Sequence, residues 1–235
     1  MKLGTANPET LAKTAEHFTS KEAEKRDKIV INYFGKCGVK QITDTIAQFL
    51  LASPRLTANA KVLDVGAGSG FFTVRIAKKI HAKSTEVSFY AMDLTPAMLL
   101  SLAKKKTNIA SFIGVAENIC GSIKEAKRFF NVPYKFDAAF STLMLHHSSQ
   151  PEKVFNSLQK ILKKKGKAIV LDLCEHGFKE FKTEMGDLHL GFKPENIYRM
   201  AKKHFPTVKV EKLPGICCES SGRSAEIFVA TMKNQ

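Results

Sequence analysis

The stretch KVLDVGAGSGFF, residues 61–72, decides the fold, because an apolar strand runs straight into a glycine-rich turn and then into a helix. Glycine at alternate positions, Gly66, Gly68 and Gly70, removes Cβ atoms and lets backbone N–H groups approach a ligand at the helix start. The G-x-G-x-G spacing differs from the dinucleotide-binding G-x-G-x-x-G, whose third glycine would fall at Phe71. By itself the stretch is compatible with a ligand loop or with an ordinary tight strand-to-helix turn.

From Lys61 onward, short β-rich runs alternate with amphipathic helical stretches, which is typical of a parallel sheet covered on both faces. Only residues 214–224 separate the last two runs, too few for a parallel return, so the final strand should be antiparallel. The sequence thus predicts a doubly wound α/β fold of seven strands, mostly parallel, with an antiparallel C-terminal strand and helices on both faces. The predicted strands are 61–65, 87–92, 111–115, 136–141, 167–173, 207–213 and 225–232.

Helix starts are marked by proline at the first helical position. Pro96, preceded by Thr95 as the N-cap, and Pro194 each begin an amphipathic stretch. Pro151 begins another, for which Gly166 is the predicted C-terminal stop.

Residues 1–60 are predicted to form a helical extension, with helices around 21–34 and 39–52 that pack on the sheet or over a cleft. We assign the remaining residues, 61–235, to one domain. No run of residues approaches the length of a membrane span, and the first residues lack the apolar stretch of a signal peptide, so we expect a soluble cytoplasmic protein. The five cysteines lack C-x-x-C spacing, which favours free thiols over a disulfide framework.

The acidic residue Asp93 ends the second predicted strand, where a carboxylate can accept hydrogen bonds from both hydroxyls of a ribose. Together with the glycine loop in a βαβ context, it indicates a cofactor that carries a ribose.

On these residues the chain resembles the class I S-adenosylmethionine-dependent methyltransferases, which have a Rossmann-like fold, and among them the quinone-biosynthesis C-methyltransferases. The resemblance covers residues 61–173 most firmly, and includes the segments GVAEN (114–118) and FDAAFS (136–141) with MLHH (144–147). It implies S-adenosylmethionine as cofactor and S-adenosylhomocysteine as product. Val115 stands where the family often has an acidic residue, so backbone groups of Ala116 and Glu117 would contact the adenine. The cofactor-binding residues implied are Asp64, Gly66, Ala67, Gly68, Gly70, Asp93, Leu94, Met98, Ala116, Glu117, Ser141 and Leu143.

The methyl group of this cofactor is activated by its sulfonium, so the enzyme mainly holds an acceptor in line and excludes water. A general base is needed only if the acceptor must lose a proton. By position, the candidates are His146, His147, Asp172 and His176.

The segment Cys174–Phe192 follows the fifth predicted strand and is expected to form the substrate wall, together with Tyr33 and Phe34. Phe178 would exclude water, while Asp187 and His189 would supply polar contacts. An amphipathic helix that merely covers the core is the alternative. His176 and His189 lack the short helical spacing of common zinc sites, so no metal is predicted.

The net charge of +15 raises nucleic acid as a partner. However, the lysine clusters at 78–79, 104–106, 127–128, 163–165 and 202–203 are predicted at helix ends opposite the ligand crevice. The chain also lacks the Asn/Asp-Pro-Pro-aromatic motif of exocyclic-amine methyltransferases. We therefore expect a small-molecule substrate, no specific nucleic acid and no membrane span. An RNA, DNA or protein methyltransferase, or a non-enzymatic cofactor-binding protein, remains the alternative.

Overall fold

A computed structural model of the protein describes residues 20–83, 86–220 and 223–235. Its strands are β1 (Lys61–Val65), β2 (Ser88–Asp93), β3 (Ala110–Ile113), β4 (Phe136–Thr142), β5 (Leu162–Leu173), β6 (Thr207–Ser220) and β7 (Arg223–Lys233). They form one sheet in the order β3-β2-β1-β4-β5-β7-β6. The strands from β3 to β5 pair in parallel, and β7 pairs antiparallel with both β5 and β6. The predicted fold class and the antiparallel last strand are therefore confirmed.

Seven helices surround the sheet in the described part of the chain: α1 (Ser20–Leu51), α2 (Phe71–His81), α3 (Pro96–Lys104), α4 (Ile119–Ala126), α5 (Pro151–Ile161), α6 (Phe181–Glu184) and α7 (Pro194–Lys202). The two predicted N-terminal helices lie within α1 as two helical segments that meet at a kink at Gly35, whose φ of 61° and ψ of 172° are not helical. The predicted starts at Pro96, Pro151 and Pro194 are confirmed. Residues 1–19 of the predicted extension lie outside the described residues.

The end of α5 differs from the prediction. The helix stops at Ile161, because Leu162 already pairs with Phe136 in the sheet. Gly166 therefore lies within β5, at an irregularity between the pairs Phe136–Leu162 and Ala138–Lys167. A Cβ on Gly166 would lie 2.8 Å from the carbonyl oxygen of Lys163, so the strand itself requires glycine there.

The basic clusters follow the predicted pattern with two exceptions. Residues 163–165 belong to the start of β5 and not to a helix end, although the start of a parallel strand is still at the edge opposite the crevice. Lys105 turns toward the glycine loop: its Nζ donates to Asp27 at 2.7 Å, and the other oxygen of Asp27 accepts a hydrogen bond from Ser69 at 2.6 Å.

The core has two halves, one on each face of the sheet, because successive residues of a strand point to opposite faces. Val62 and Ile169 pack with side chains of α1 and α2 on one face. Leu63 and Val170 pack with α4, α5 and α7 on the other. The N-terminal helix α1 thus shares a core with the sheet. No helix in the described residues combines the length and apolarity needed to cross a bilayer.

The buried Lys167 on β5 ties the C-terminus of α1 to the sheet. Its Nζ donates to the carbonyl oxygens of Phe49, Leu50 and Ala52 at 2.8, 2.9 and 2.7 Å. The last carbonyls of a helix have no partner within the helix, so a lysine that satisfies three of them closes its end. This contact holds α1 against the sheet.

Candidate active site

A cleft opens where β1, β2 and β4 end, at the point where the strand order reverses. This is where open α/β sheets bind ligands. The cleft contains about 760 Å³ of empty space, part of it open to solvent, which is enough for a nucleoside-sized ligand. Its wall is formed by Arg26, Gly66, Gly68, Met92, Asp93, Leu94, Thr95, Met98, Gly114, Val115, Ala116, Glu117, Leu143, Met144, His147, Ser148 and Ser149.

The glycine loop is held against the end of β2, and its three glycines have positive φ values that side chains rarely adopt. The N–H groups of Gly66 and Ala67 donate to the carbonyl oxygen of Met92 at 2.8 and 3.0 Å. Gly66 has a φ of +75°, and a Cβ there would lie 2.1 Å from Cγ of Met144. Gly68 has a φ of +54° and open space where its Cβ would be. The loop therefore presents bare backbone to the cleft.

Asp93, at the end of β2, links the two loops that border the cleft. One carboxylate oxygen accepts a hydrogen bond from the N–H of Gly68, and the other accepts one from the N–H of Thr95, both at 2.8 Å. Burial raises the pKa of Asp93, and these backbone donors oppose the rise. A carboxylate has about four acceptor sites, so two remain for a ligand in the cleft.

Asp64 lies under the glycine loop with one oxygen satisfied and one not. The hydroxyl of Thr73 donates to Oδ2 at 2.6 Å. No residue of the described chain donates to Oδ1, although this oxygen is buried. Burial raises the pKa of Asp64 to about 8. A cationic group at this position would satisfy the oxygen and favour the carboxylate.

The opposite side of the cleft is formed by the 3₁₀ turn Ala116–Asn118, as the resemblance implied for the adenine. The carboxylate of Glu117 accepts hydrogen bonds from the hydroxyl of Ser148 at 2.6 Å and from the N–H of Ser149 at 3.2 Å. The turn is thereby fixed against the loop that follows β4.

A second, smaller pocket of about 360 Å³ adjoins the cleft and shares Arg26 and Leu143 with it. Helix α1 contributes Arg26, Ile29, Val30, Tyr33 and Phe34 to it, and the segment 181–187 contributes Phe181, Met185 and Asp187. Leu173 and His146 complete its wall. This inner pocket is apolar except for Arg26, Tyr33, His146 and Asp187.

His146 is held between two carboxylates at the floor of the inner pocket. Its Nδ1 lies 2.5 Å from Oδ1 of Asp172, which also accepts the N–H of Leu173 at 2.7 Å. Its Nε2 lies 3.5 Å from Oδ1 of Asp187. Burial lowers the pKa of His146, but the two aspartates outweigh it and the net pKa is raised. Burial raises the pKa of Asp187 to about 6.

Several other predicted site residues lie outside the walls of the two pockets. Asp64, Ala67, Gly70 and Ser141 support the cleft but do not line it. Phe178 is buried against His176 and Phe181, outside the inner pocket wall. His176 accepts the N–H of Phe178 at 3.2 Å, and His189 bonds to the carbonyl oxygen of Ser148 at 3.0 Å. Neither of these histidines lines the inner pocket.

Arg26 is the main site residue absent from the sequence predictions. It reaches both pockets from α1. One basic residue among 37 carries no signal of its own. The helical spacing of 26, 29, 30, 33 and 34, however, places these residues on one face and could have identified the wall.

Comparison with known proteins places this geometry in a family. A protein-family model described as a methyltransferase domain matches residues 56–216, which is more than half of the chain. The ubiquinone/menaquinone biosynthesis C-methyltransferase UbiE of Rickettsia typhi is 26% identical over 128 residues, covering 54% of this chain and 49% of the relative. UbiE of Rickettsia akari is 25% identical over 137 residues, covering 57% and 53%. The chain thus spans about half the length of the curated relatives it matches.

Solved structures have the same fold at low sequence identity. Phosphoethanolamine N-methyltransferase 2 of Haemonchus contortus, in complex with phosphomonomethylethanolamine and S-adenosylhomocysteine, superposes with a TM-score of 0.66 at 17% identity, covering 93% of this chain and 58% of that one. An S-adenosylmethionine-dependent methyltransferase from Aquifex aeolicus gives a TM-score of 0.59 at 15% identity, covering 92% and 99%. The glycine loop, the strand-end aspartate and the matched domain agree: the chain belongs to the methyltransferase domain family.

Proposed function

We propose that the protein transfers a methyl group from S-adenosylmethionine to a small molecule held in the inner pocket. The observation that carries the proposal is the junction of the two pockets at Arg26 and Leu143. A ligand in the outer cleft and a second one in the inner pocket would meet there, which is the arrangement that in-line transfer requires.

The residues of the outer cleft fit the cofactor. The bare backbone at Gly68 leaves room for its methionine part, and the buried carboxyl of Asp64 beneath the wall, with its unsatisfied Oδ1, would attract its ammonium group without lining the cleft. The free acceptor sites of Asp93 suit the ribose hydroxyls, and the turn at Ala116 and Glu117 suits the adenine. Asp64, Ala67, Gly70 and Ser141 support these contacts from beneath the wall.

The inner pocket indicates the class of acceptor. Its empty space of about 360 Å³, part of it open to solvent, is about half that of the outer cleft and favours a compact molecule. The rings of Tyr33, Phe34 and Phe181 suit a flat or apolar body, and His146 and Asp187 suit a polar end. Similarity to the UbiE C-methyltransferases, whose name places them in quinone biosynthesis, supports an acceptor of this kind.

The chemistry asks little of the protein beyond positioning. The bound cofactor supplies a methyl group already activated on sulfur. The chain's own residues hold the acceptor in line, and the aromatic rings keep water out. For an acceptor that must lose a proton, His146 is the best placed of the four candidates, because Asp172 orients its ring. Asp172 acts as a positioning residue, His147 lies in the wall of the outer cleft, and His176 lies outside both walls.

We further propose that the extension up to residue 60 acts as the cap of the site, since α1 contributes five residues to the inner pocket wall. A cytoplasmic location is supported by the unpaired thiols of Cys37, Cys120 and Cys174, the state that reducing compartments maintain. No specific nucleic-acid or protein acceptor is proposed, because an inner pocket with only about 360 Å³ of empty space suits a small molecule better than a polymer.

Filling the inner pocket tests the proposal. Met185, half-buried in its wall, is replaced by tryptophan, and the half-buried Met200 of α7 is replaced in the same way as a matched control. We expect Met185→Trp to lose methyl transfer to a cell extract by about tenfold or more, equivalent to 1.4 kcal/mol, while affinity for S-adenosylhomocysteine is retained. Met200→Trp should keep both. Full transfer by Met185→Trp would overturn the proposal.

A further inference from the structure

Two histidines and one carboxylate meet in the wall between the outer cleft and the inner pocket. His146 and His147 belong to the 3₁₀ turn that follows β4, and Asp187 follows α6. One nitrogen of each ring and one oxygen of Asp187 lie within 4.8 Å of one another. Oδ1 of Asp187 is 3.5 Å from Nε2 of His146 and 3.9 Å from Nδ1 of His147. We call these three residues the His-His-Asp cluster.

The carboxylate of Asp187 lacks the donors that a buried anion needs. Its side chain is 1% exposed, and neither of its oxygens accepts a hydrogen bond from the part of the chain that the structure describes. Burying a carboxylate without donors is costly unless a cation or a proton compensates the charge. Arg26 lines the same pocket and acts on this carboxylate through its charge, but the oxygens accept no hydrogen bond from it. The site therefore has a place for a cation.

The histidines are supported as metal ligands usually are. A carboxylate only accepts hydrogen bonds, so Nδ1 of His146 donates to Asp172, and Nε2, once its proton is displaced, turns a lone pair toward Asp187. Nδ1 of His147 lies 3.2 Å from the carbonyl oxygen of Gly186, so its Nε2 is the ligand atom. Metal-bound histidines typically hold their second nitrogen on a carboxylate or a backbone carbonyl in this way.

We propose that the His-His-Asp cluster binds one divalent transition-metal ion, with Zn²⁺ as the best match. Two imidazoles and one carboxylate form a common catalytic zinc set, in which a fourth position stays open. Metal–ligand bonds of about 2.0–2.1 Å place tetrahedral ligand atoms roughly 3.4 Å apart. The separation of 3.5 Å between Nε2 of His146 and Oδ1 of Asp187 is close to this value. Nitrogen ligands disfavour Mg²⁺ and Ca²⁺.

The consequence of such an ion rests on the proposed function. Its open position would face the inner pocket, where it would bind an oxygen of the acceptor and favour the deprotonated form of a hydroxyl, with the proton released to solvent. Nε2 of His146 would then be a metal ligand and would not take the proton. The acceptor class is accordingly a molecule with a hydroxyl or enol oxygen near the methylated atom.

Metal binding to the full chain tests the site without substrate. The protein is freed of metal with a chelator and titrated with Zn²⁺ alone by calorimetry, and with Co²⁺ by visible spectroscopy. We expect one ion per chain and the d–d bands of a four-coordinate Co²⁺ site. Asp187→Asn and His147→Ala should abolish this binding. Asp172→Asn should weaken it by about 10- to 100-fold, as for other partners of metal-bound histidines.

His189→Ala is the matched control, because His189 lies nearby on the same segment but bonds to the carbonyl oxygen of Ser148. It should bind Zn²⁺ as the unchanged protein does. Absence of stoichiometric binding, or equal binding in Asp187→Asn and the unchanged protein, would overturn the site. Affinity for S-adenosylhomocysteine, measured on the same samples, reports the proposed function separately, so the failure of one is distinguishable from the failure of the other.

Discussion

Replacing Asp93 by alanine is the most informative perturbation of the cofactor cleft. In the structure two of its acceptor sites are used by the N–H groups of Gly68 and Thr95, and two remain for the ribose hydroxyls. A hydrogen bond to a charged group contributes about 1.5–3 kcal/mol. We therefore expect Asp93→Ala to weaken S-adenosylhomocysteine binding by about 1.5–3 kcal/mol if one hydroxyl is bound, or roughly 10- to 150-fold in Kd, and by more if both are bound.

Isothermal titration calorimetry measures this loss, with Asp137→Ala as the control. Asp137 also accepts a backbone N–H, that of Lys61 at 2.8 Å, but at the other edge of the sheet. A cofactor analogue without the 2′-hydroxyl completes a double-mutant cycle. The unchanged protein should bind the analogue more weakly than S-adenosylhomocysteine, whereas Asp93→Ala should bind the two equally. The reasoning is refuted if folded Asp93→Ala binds as tightly as the unchanged protein, or if Asp137→Ala loses as much.

Three further changes test the loop, the cap and the ammonium site. Gly66→Ala should lose cofactor binding, because its Cβ would collide with Met144 and its φ is +75°. Gly177 has open space around it, so Gly177→Ala should bind the cofactor normally in the same titration. Lys167→Met leaves three carbonyls at the end of α1 without their donor, so the free energy of unfolding in urea should fall by about 2 kcal/mol; an unchanged midpoint would contradict the role of Lys167. Burial raises the pKa of Asp64 to about 8, so at pH 7 its carboxyl is mostly protonated and pairing with an ammonium must release that proton. Cofactor affinity should therefore rise as the pH approaches 8, and binding should release a proton. Calorimetry in buffers of different ionisation enthalpy measures this release, which Asp64→Asn should remove.

The fold could be predicted from the sequence because its signals are local. Strand runs, proline helix starts and the short connection before β7 each follow from neighbouring residues, and all are confirmed. The errors arise where pairing across the sheet overrides a local signal. Leu162 joins Phe136 and ends α5 early, and β6 continues past its predicted end at Leu213 because β7 pairs with it as far as Ser220.

The site was predictable only where one segment carries it. The glycine loop and Asp93 lie close in sequence, and the structure places Gly66, Gly68 and Asp93 together in the cleft. The inner pocket combines α1 with the segment after β5, as expected for Tyr33, Phe34 and Asp187, but no local pattern reveals which other side chains of these two distant segments face each other. The approach of His146 to Asp172 and Asp187 belongs to this class, since the tertiary fold alone brings the three together.

Transfer of a labelled methyl group from S-adenosylmethionine to a cell extract is the most direct test of the proposed methylation of a small molecule. The extract is divided into small molecules, nucleic acid and protein, and each fraction is incubated with the purified chain. We expect label in the small-molecule fraction. Asp93→Ala should lose this labelling, and Asp137→Ala should retain it. Label confined to nucleic acid or protein, or no enzyme-dependent label in any fraction, would contradict the proposal.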